Sequence, residues 1–148
     1  DIANVVKPSW MTSLPSQVGG SYSGGKLKSD QWRVLGTTYM PITLIRLWSQ
    51  SEESSDRREF LELTMDLVSA VLLATSRTTS RNNAQAFEDH MVAYRVRLSA
   101  LFPDYKCHPN HHMALHIPEF LRWFGPVHGW WTFPFERLNG KLLRISTN

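Results

Sequence analysis

Apolar residues recur at intervals of three and four along most of this chain, and no convincing strand pattern interrupts them. From residue 30 the positions Trp32, Leu35, Tyr39, Ile42, Ile45 and Leu47 mark one helical face, with Ser29 as a plausible N-cap and Asp30 in the opening turn. Pro41 has no amide hydrogen to give and crowds the preceding turn, so a kink or break is expected near Tyr39. A polar loop at 49–55 leads to a second helix over 56–75, with Phe60, Leu63, Leu67, Val71 and Ala74 in one stripe. Leu61, Met65, Val68 and Leu72 lie beside that stripe, which predicts the most buried helix of the set. After the polar run 76–83 a third helix is expected over 84–101, on Phe87, Met91, Tyr94, Leu98 and Leu101. Its charges, Glu88, Asp89, Arg95 and Arg97, predict a solvated face.

Pro103 and Asp104 break the chain, and Pro109 suits the first turn of a fourth helix that stops at Gly125-Pro126. Pro118 falls inside it and predicts a kink or two abutting short helices. Pro134 opens a fifth helix through about 144. The expected fold is all-α, about five helices in an irregular bundle. Residues 12–29 carry four glycines and five serines, so 1–29 reads as a flexible linker or N-terminal arm ahead of a helical domain at 30–148.

The 148 residues suit one domain with one sizeable core. A formal charge of +3 permits contact with nucleic acid without demanding it, because no Lys/Arg run exceeds the pair Arg57-Arg58. The single cysteine, Cys107, excludes an intrachain disulfide and suits a reducing, intracellular compartment. No apolar stretch approaches the length that would cross a membrane, and 1–10 lacks the apolar run of a signal peptide. The chain begins at Asp1 rather than Met and stops just after a helical pattern, which predicts a piece of a longer polypeptide.

Two groups of residues could carry chemistry. His112 and His116 stand four positions apart, about 40° from one another around a helix, where two imidazoles can share a metal ion. His111 is a further ligand candidate, with Cys107 and His108 one turn earlier. One thiol is too few for a closed zinc finger, so a tetrahedral zinc would need ligands from outside the chain. On spacing alone, imidazoles hydrogen-bonded to backbone or neighbours remain the plainer reading. The second candidate is Glu136, two residues after Pro134 and behind the aromatic block Trp130, Trp131, Phe133 and Phe135. A carboxylate in a first helical turn complements the helix dipole. It is also the hard oxygen ligand that Mg²⁺ takes in phosphoryl transfer, and spacing does not separate the two roles. Glu119, just after Pro118, reads as structural, and the aromatics read as core more readily than as a base-stacking platform. No P-loop or dinucleotide fingerprint occurs.

The segments Pro-Asn-His-His-Met-Ala-Leu-His-Ile-Pro-Glu-Phe and Phe-Gly-Pro-Val-His-Gly-Trp-Trp-Thr-Phe-Pro-Phe-Glu-Arg-Leu-Asn-Gly resemble the DUF4218 region of CACTA-type (En/Spm-like) transposon proteins, most closely fungal members. The likeness extends upstream through the sequence around Trp32 and Trp48, less specifically. The resemblance implies the C-terminal part of a DDE-type DNA transposase with an RNase H-like core, of which 30–102 would be a helical insertion. Glu136 would then be the terminal catalytic acid, binding Mg²⁺ together with two aspartates that this chain does not supply. His112 and His116, with His111 nearby, would hold structural Zn²⁺ completed by ligands elsewhere. It further implies a nuclear protein that engages transposon DNA ends and the remainder of the transposase core, as an oligomer, and a fragment inactive alone. The alternative is a non-catalytic helical interaction module of a transposon-encoded protein.

Overall fold

The computed structural model describes residues 8–9, 11, 14, 27, 29–49 and 55–145; the rest of the expected arm lies outside the described residues. Among them the chain is all-helical, in five helical units and without strands. The first unit is continuous from α1 (Ser29–Val34) through a π-helical turn (Leu35–Tyr39) into α2 (Met40–Trp48). Ser29 is the first helical residue rather than the cap, a difference within the usual spread of helix ends.

The break expected at Pro41 does not occur. The helix widens by one residue instead, so that the Met40 amide donates to the carbonyl of Leu35 five positions back. A regular turn would press the Pro41 ring onto the Thr37 carbonyl; the π turn ahead of it removes that conflict. The Thr37 hydroxyl donates to the Arg33 carbonyl at 2.7 Å within the same turn. This turn also forms a core: Val34, Leu35 and Tyr39 are buried, and Met11, Leu14 and Leu27 pack against them. Apolar residues of the expected linker thus contribute to that cluster.

The larger core lies between α3 (Ser55–Ala74) and α4 (Arg81–Leu101), an antiparallel pair joined by a short loop. Ser80 caps α4, its Oγ accepting from the Asn83 amide at 3.1 Å. Ala70, Ala74, Phe87 and Met91 form the buried centre, with Leu73, Tyr94, Ala114 and Ile117 around it. The alanines leave room for close approach and Phe87 fills it. The buried face of α3 is Leu63, Val68, Ala70 and Ala74, rotated from the expected stripe so that Phe60, Leu67 and Val71 are only half-buried. α4 contributes as many buried residues, Ala84, Phe87, Met91 and Leu98, so α3 is not the most buried helix by that measure.

The charges of α4 also depart from expectation. Arg97 donates through Nε to Asp66 Oδ2 at 3.0 Å and through Nη1 to Glu62 Oε2 at 2.7 Å, while His90 Nδ1 meets Asp66 Oδ1 at 3.1 Å. Glu88 pairs with Arg122 at 3.0 Å, and Arg95 bonds His111. Glu88, Arg95 and Arg97 therefore tie α4 to other helices while staying partly exposed, and Asp89 is exposed as expected. A local charge pattern does not reveal partners more than thirty residues away.

The fourth unit divides as Pro118 requires, into α5 (Pro109–Ala114) and α6 (Ile117–Phe124). Pro118 is fully buried in the first turn of α6, where its missing amide hydrogen leaves no bond unmade. Gly125, at φ 75°, ends α6 in the left-handed region that an L side chain resists. A single 3₁₀ turn (Val127–Gly129) leads to α7 (Phe133–Leu142), on which Phe135, Leu138 and Leu142 are exposed. No described helix is long and apolar enough to cross a membrane.

Candidate functional site

The histidine pair sits where α5 gives way to α6. The Leu115 amide bonds to His112 O at 3.0 Å and the His116 amide to Met113 O at 3.1 Å, so the chain tightens between the two imidazoles. Their rings lie edge to face with centroids 5.0 Å apart, and His112 Nε2 stands 3.4 Å from His116 Nε2. That separation has a chemical meaning. Two nitrogens bonded to one tetrahedral zinc at 2.0–2.1 Å must stand about 3.3 Å apart. His116 Nδ1 lies 3.5 Å from Glu119 Oε2, with both side chains exposed. Glu119, read from the sequence as structural, thus stands beside a candidate ligand. The two nitrogens stand at the separation of two ligands of one tetrahedral ion.

His111 does not join them. Its Nδ1 accepts from Arg95 Nη1 at 2.9 Å, and its ring packs edge-on to Tyr94 and beside Tyr105. Burial first, then the charges of Arg95 and His108, hold this imidazole below its ordinary pKa. Because the folded value is depressed, the unfolded chain binds the extra proton as pH falls. The stabilising contribution of His111 is full above pH about 6.5 and is lost as pH falls through the folded value. With chelator present, His111→Gln is expected to lower the melting temperature at pH 7.5 and to lose that effect towards pH 5. A gap between the two proteins that widens on acidification would contradict this. Among the described residues no three His, Cys, Asp or Glu side chains converge on one point.

Glu136 lies in the first turn of α7. Its amide bonds to Thr132 O at 2.9 Å, and the Thr132 hydroxyl donates to Glu136 Oε1 at 3.2 Å. The carboxylate is exposed and lines a cleft of about 920 Å³. Arg33, Arg77 and Arg137 line the same cleft, together with His128, Trp131 and Phe133. His112 and His116 are not part of its wall. His128 fixes the floor: its Nε2–H donates to the Thr75 carbonyl at 2.9 Å, which ties the 3₁₀ turn to the end of α3. Trp131 packs edge-on to His128 at 4.1 Å and to Phe133 at 4.8 Å.

The aromatic block is thus divided by direction. Trp130 turns to α6, packing on Phe120 and donating its indole N–H to Gly125 O at 3.1 Å, whereas Trp131 and Phe133 line the cleft and Phe135 is exposed. Sequence reasoning missed His128 and the three arginines. The arginines come from α1, from the loop after α3 and from α7, and no local signal connects them. His128 lies two residues ahead of the aromatic block, in the segment that carries the resemblance, the one cue that could have singled it out. Comparison with protein families, with curated proteins and with solved structures found no match.

Proposed function

We propose that this chain is the helical, DUF4218-like C-terminal part of a DDE-type DNA transposase. In this reading Glu136 is the last acid of a Mg²⁺-dependent strand cleavage and transfer site, and His112 and His116 are two ligands of a structural zinc. The observation that carries the reading is the convergence of the two Nε2 atoms at a separation that one tetrahedral ion would set, with Glu119 beside one of the imidazoles. The remaining zinc ligands, the two aspartates and the rest of the core belong to the parent polypeptide. That protein would act in the nucleus on transposon ends, as an oligomer.

Mg²⁺, when bound, would supply Lewis-acid stabilisation of the attacking and leaving oxygens. This chain's part is positional. Glu136 presents a carboxylate oxygen from a helix start, oriented by the Thr132 hydroxyl. The neighbouring arginines attract the phosphodiester and offset the charge it brings. The second reading, a non-catalytic interaction module, draws on the exposed apolar residues of α7, Phe135, Leu138 and Leu142. In it, Glu136 is only a helix-start residue.

The zinc half of the proposal is tested by elemental analysis of the purified complete protein. One zinc per chain is expected, lost in His112→Ala together with several degrees of melting temperature. Glu119→Gln is expected to keep the fold while weakening zinc affinity about 10–100-fold. Absence of zinc from the wild-type protein would reduce the pair to packing residues.

A further inference from the structure

The cleft beside Glu136 has a chemistry of its own. Three arginines line it, Arg33 from α1, Arg77 from the loop after α3 and Arg137 from the first half of α7, together with the Glu136 carboxylate. Arginine stays charged at any accessible pH, and its planar fork matches two phosphate oxygens at once. Arg77 and Arg137 are exposed, and among the described residues neither has a carboxylate partner. The wall also carries half-buried Trp131 and Phe133, with the Trp131 ring held by His128. Cations beside aromatic rings are the combination that takes a sugar–phosphate backbone together with an unstacked base. A paired base is stacked inside its duplex and offers no free face to such a wall.

We propose that this cleft binds a single strand of nucleic acid, its phosphates on Arg77 and Arg137 and an unpaired base against Trp131 and Phe133. The proposal deepens the transposase reading. It rests on that reading for the purpose of the strand, which would be a DNA end opened beside Glu136. The binding itself needs neither the metal nor the rest of the core, and that allows the two to fail separately.

The test is fluorescence anisotropy with this chain, without divalent metal and at low salt, using a short labelled oligothymidylate. Saturable binding is expected, with a log–log salt slope of about −1.4 for two phosphate contacts. Arg77→Gln and Arg137→Gln are each expected to weaken it several-fold and to make the slope shallower by about 0.7. Both residues are exposed, so their replacement leaves folding intact, which circular dichroism checks. The same strand with abasic sites should bind about tenfold more weakly, and the corresponding duplex more weakly still. Glu136→Gln removes a negative charge from the lining and should bind at least as tightly. If that variant binds while the complete wild-type protein cleaves no DNA, the nuclease reading fails and the strand site stands. Binding unaffected by both arginine substitutions, preference for duplex, or equal affinity for a polyglutamate peptide would overturn the proposal.

Discussion

Glu136→Gln is expected to lower DNA strand cleavage by the complete protein about a thousandfold while leaving its melting temperature unchanged. The substitution keeps the shape of the side chain and an oxygen that can still accept from the Thr132 hydroxyl. What it removes is the charge. A neutral amide is a poor ligand for a hard cation, and metal stabilisation of the developing oxyanions is worth several kcal/mol. At about 1.4 kcal/mol per factor of ten, that amounts to roughly 10²–10⁴ in rate. Stability should not follow, because the carboxylate is exposed and its one hydrogen bond among the described residues is to a surface hydroxyl. Cleavage within a few-fold of wild type would leave Glu136 a helix-start residue and favour the interaction module.

Phe87→Ala is expected to cost about 3–5 kcal/mol, the range for emptying an aromatic site that cannot collapse. Phe87 is 3% exposed and is the largest member of the buried cluster it forms with Ala70, Ala74 and Met91. Its alanine neighbours have no flexible atoms with which to fill the space. A domain of this size usually holds about 5–15 kcal/mol in all, so the variant should melt about 10 °C lower or more. The loss should also reach the histidine pair. Ala114 and Ile117 pack on this cluster, and they bracket His116 in sequence. Zinc affinity is therefore expected to fall with core stability, because binding to a folded site is linked to folding. Thermal melts and zinc titration of the same preparation check both effects. A melting temperature within about 3 °C of wild type would mean that the α3–α4 core is not where most of the stability lies.

The helices were legible in the sequence because their punctuation is strong. Pro109, Pro118 and Pro134 open helices, Gly125 ends one, and the apolar spacing between them has period three to four. The division at Pro118 follows from proline geometry alone. The response to Pro41 does not, since a kink, a break and a π turn all relieve the same clash and packing selects among them. Nor did the face of α3 emerge correctly, because Ala70 counts little in a hydrophobic stripe yet is almost fully buried. Small residues mark where helices approach, and an apolar pattern undervalues them.

At the candidate site, the spacing of His112 and His116 foretold two neighbouring imidazoles, and they are neighbours even though the helix tightens between them. The direction of His111 was not legible, since it depends on Arg95 from another helix. The arginine-lined cleft was invisible for the same reason. Arg137 follows Glu136 in sequence, but only the fold brings Arg33 and Arg77 to the same cleft. The functional role given to Glu136 came from the resemblance of the aromatic block, not from spacing.

Iron-directed hydroxyl-radical scission asks whether this carboxylate faces a catalytic ion. Fe²⁺ exchanged for Mg²⁺ in the complete protein bound to DNA cuts the polypeptide next to the ion. Scission beside Glu136, suppressed by excess Mg²⁺ and absent in Glu136→Gln, is the predicted result. Scission confined to distant acidic residues, with none near the start of α7, would contradict it.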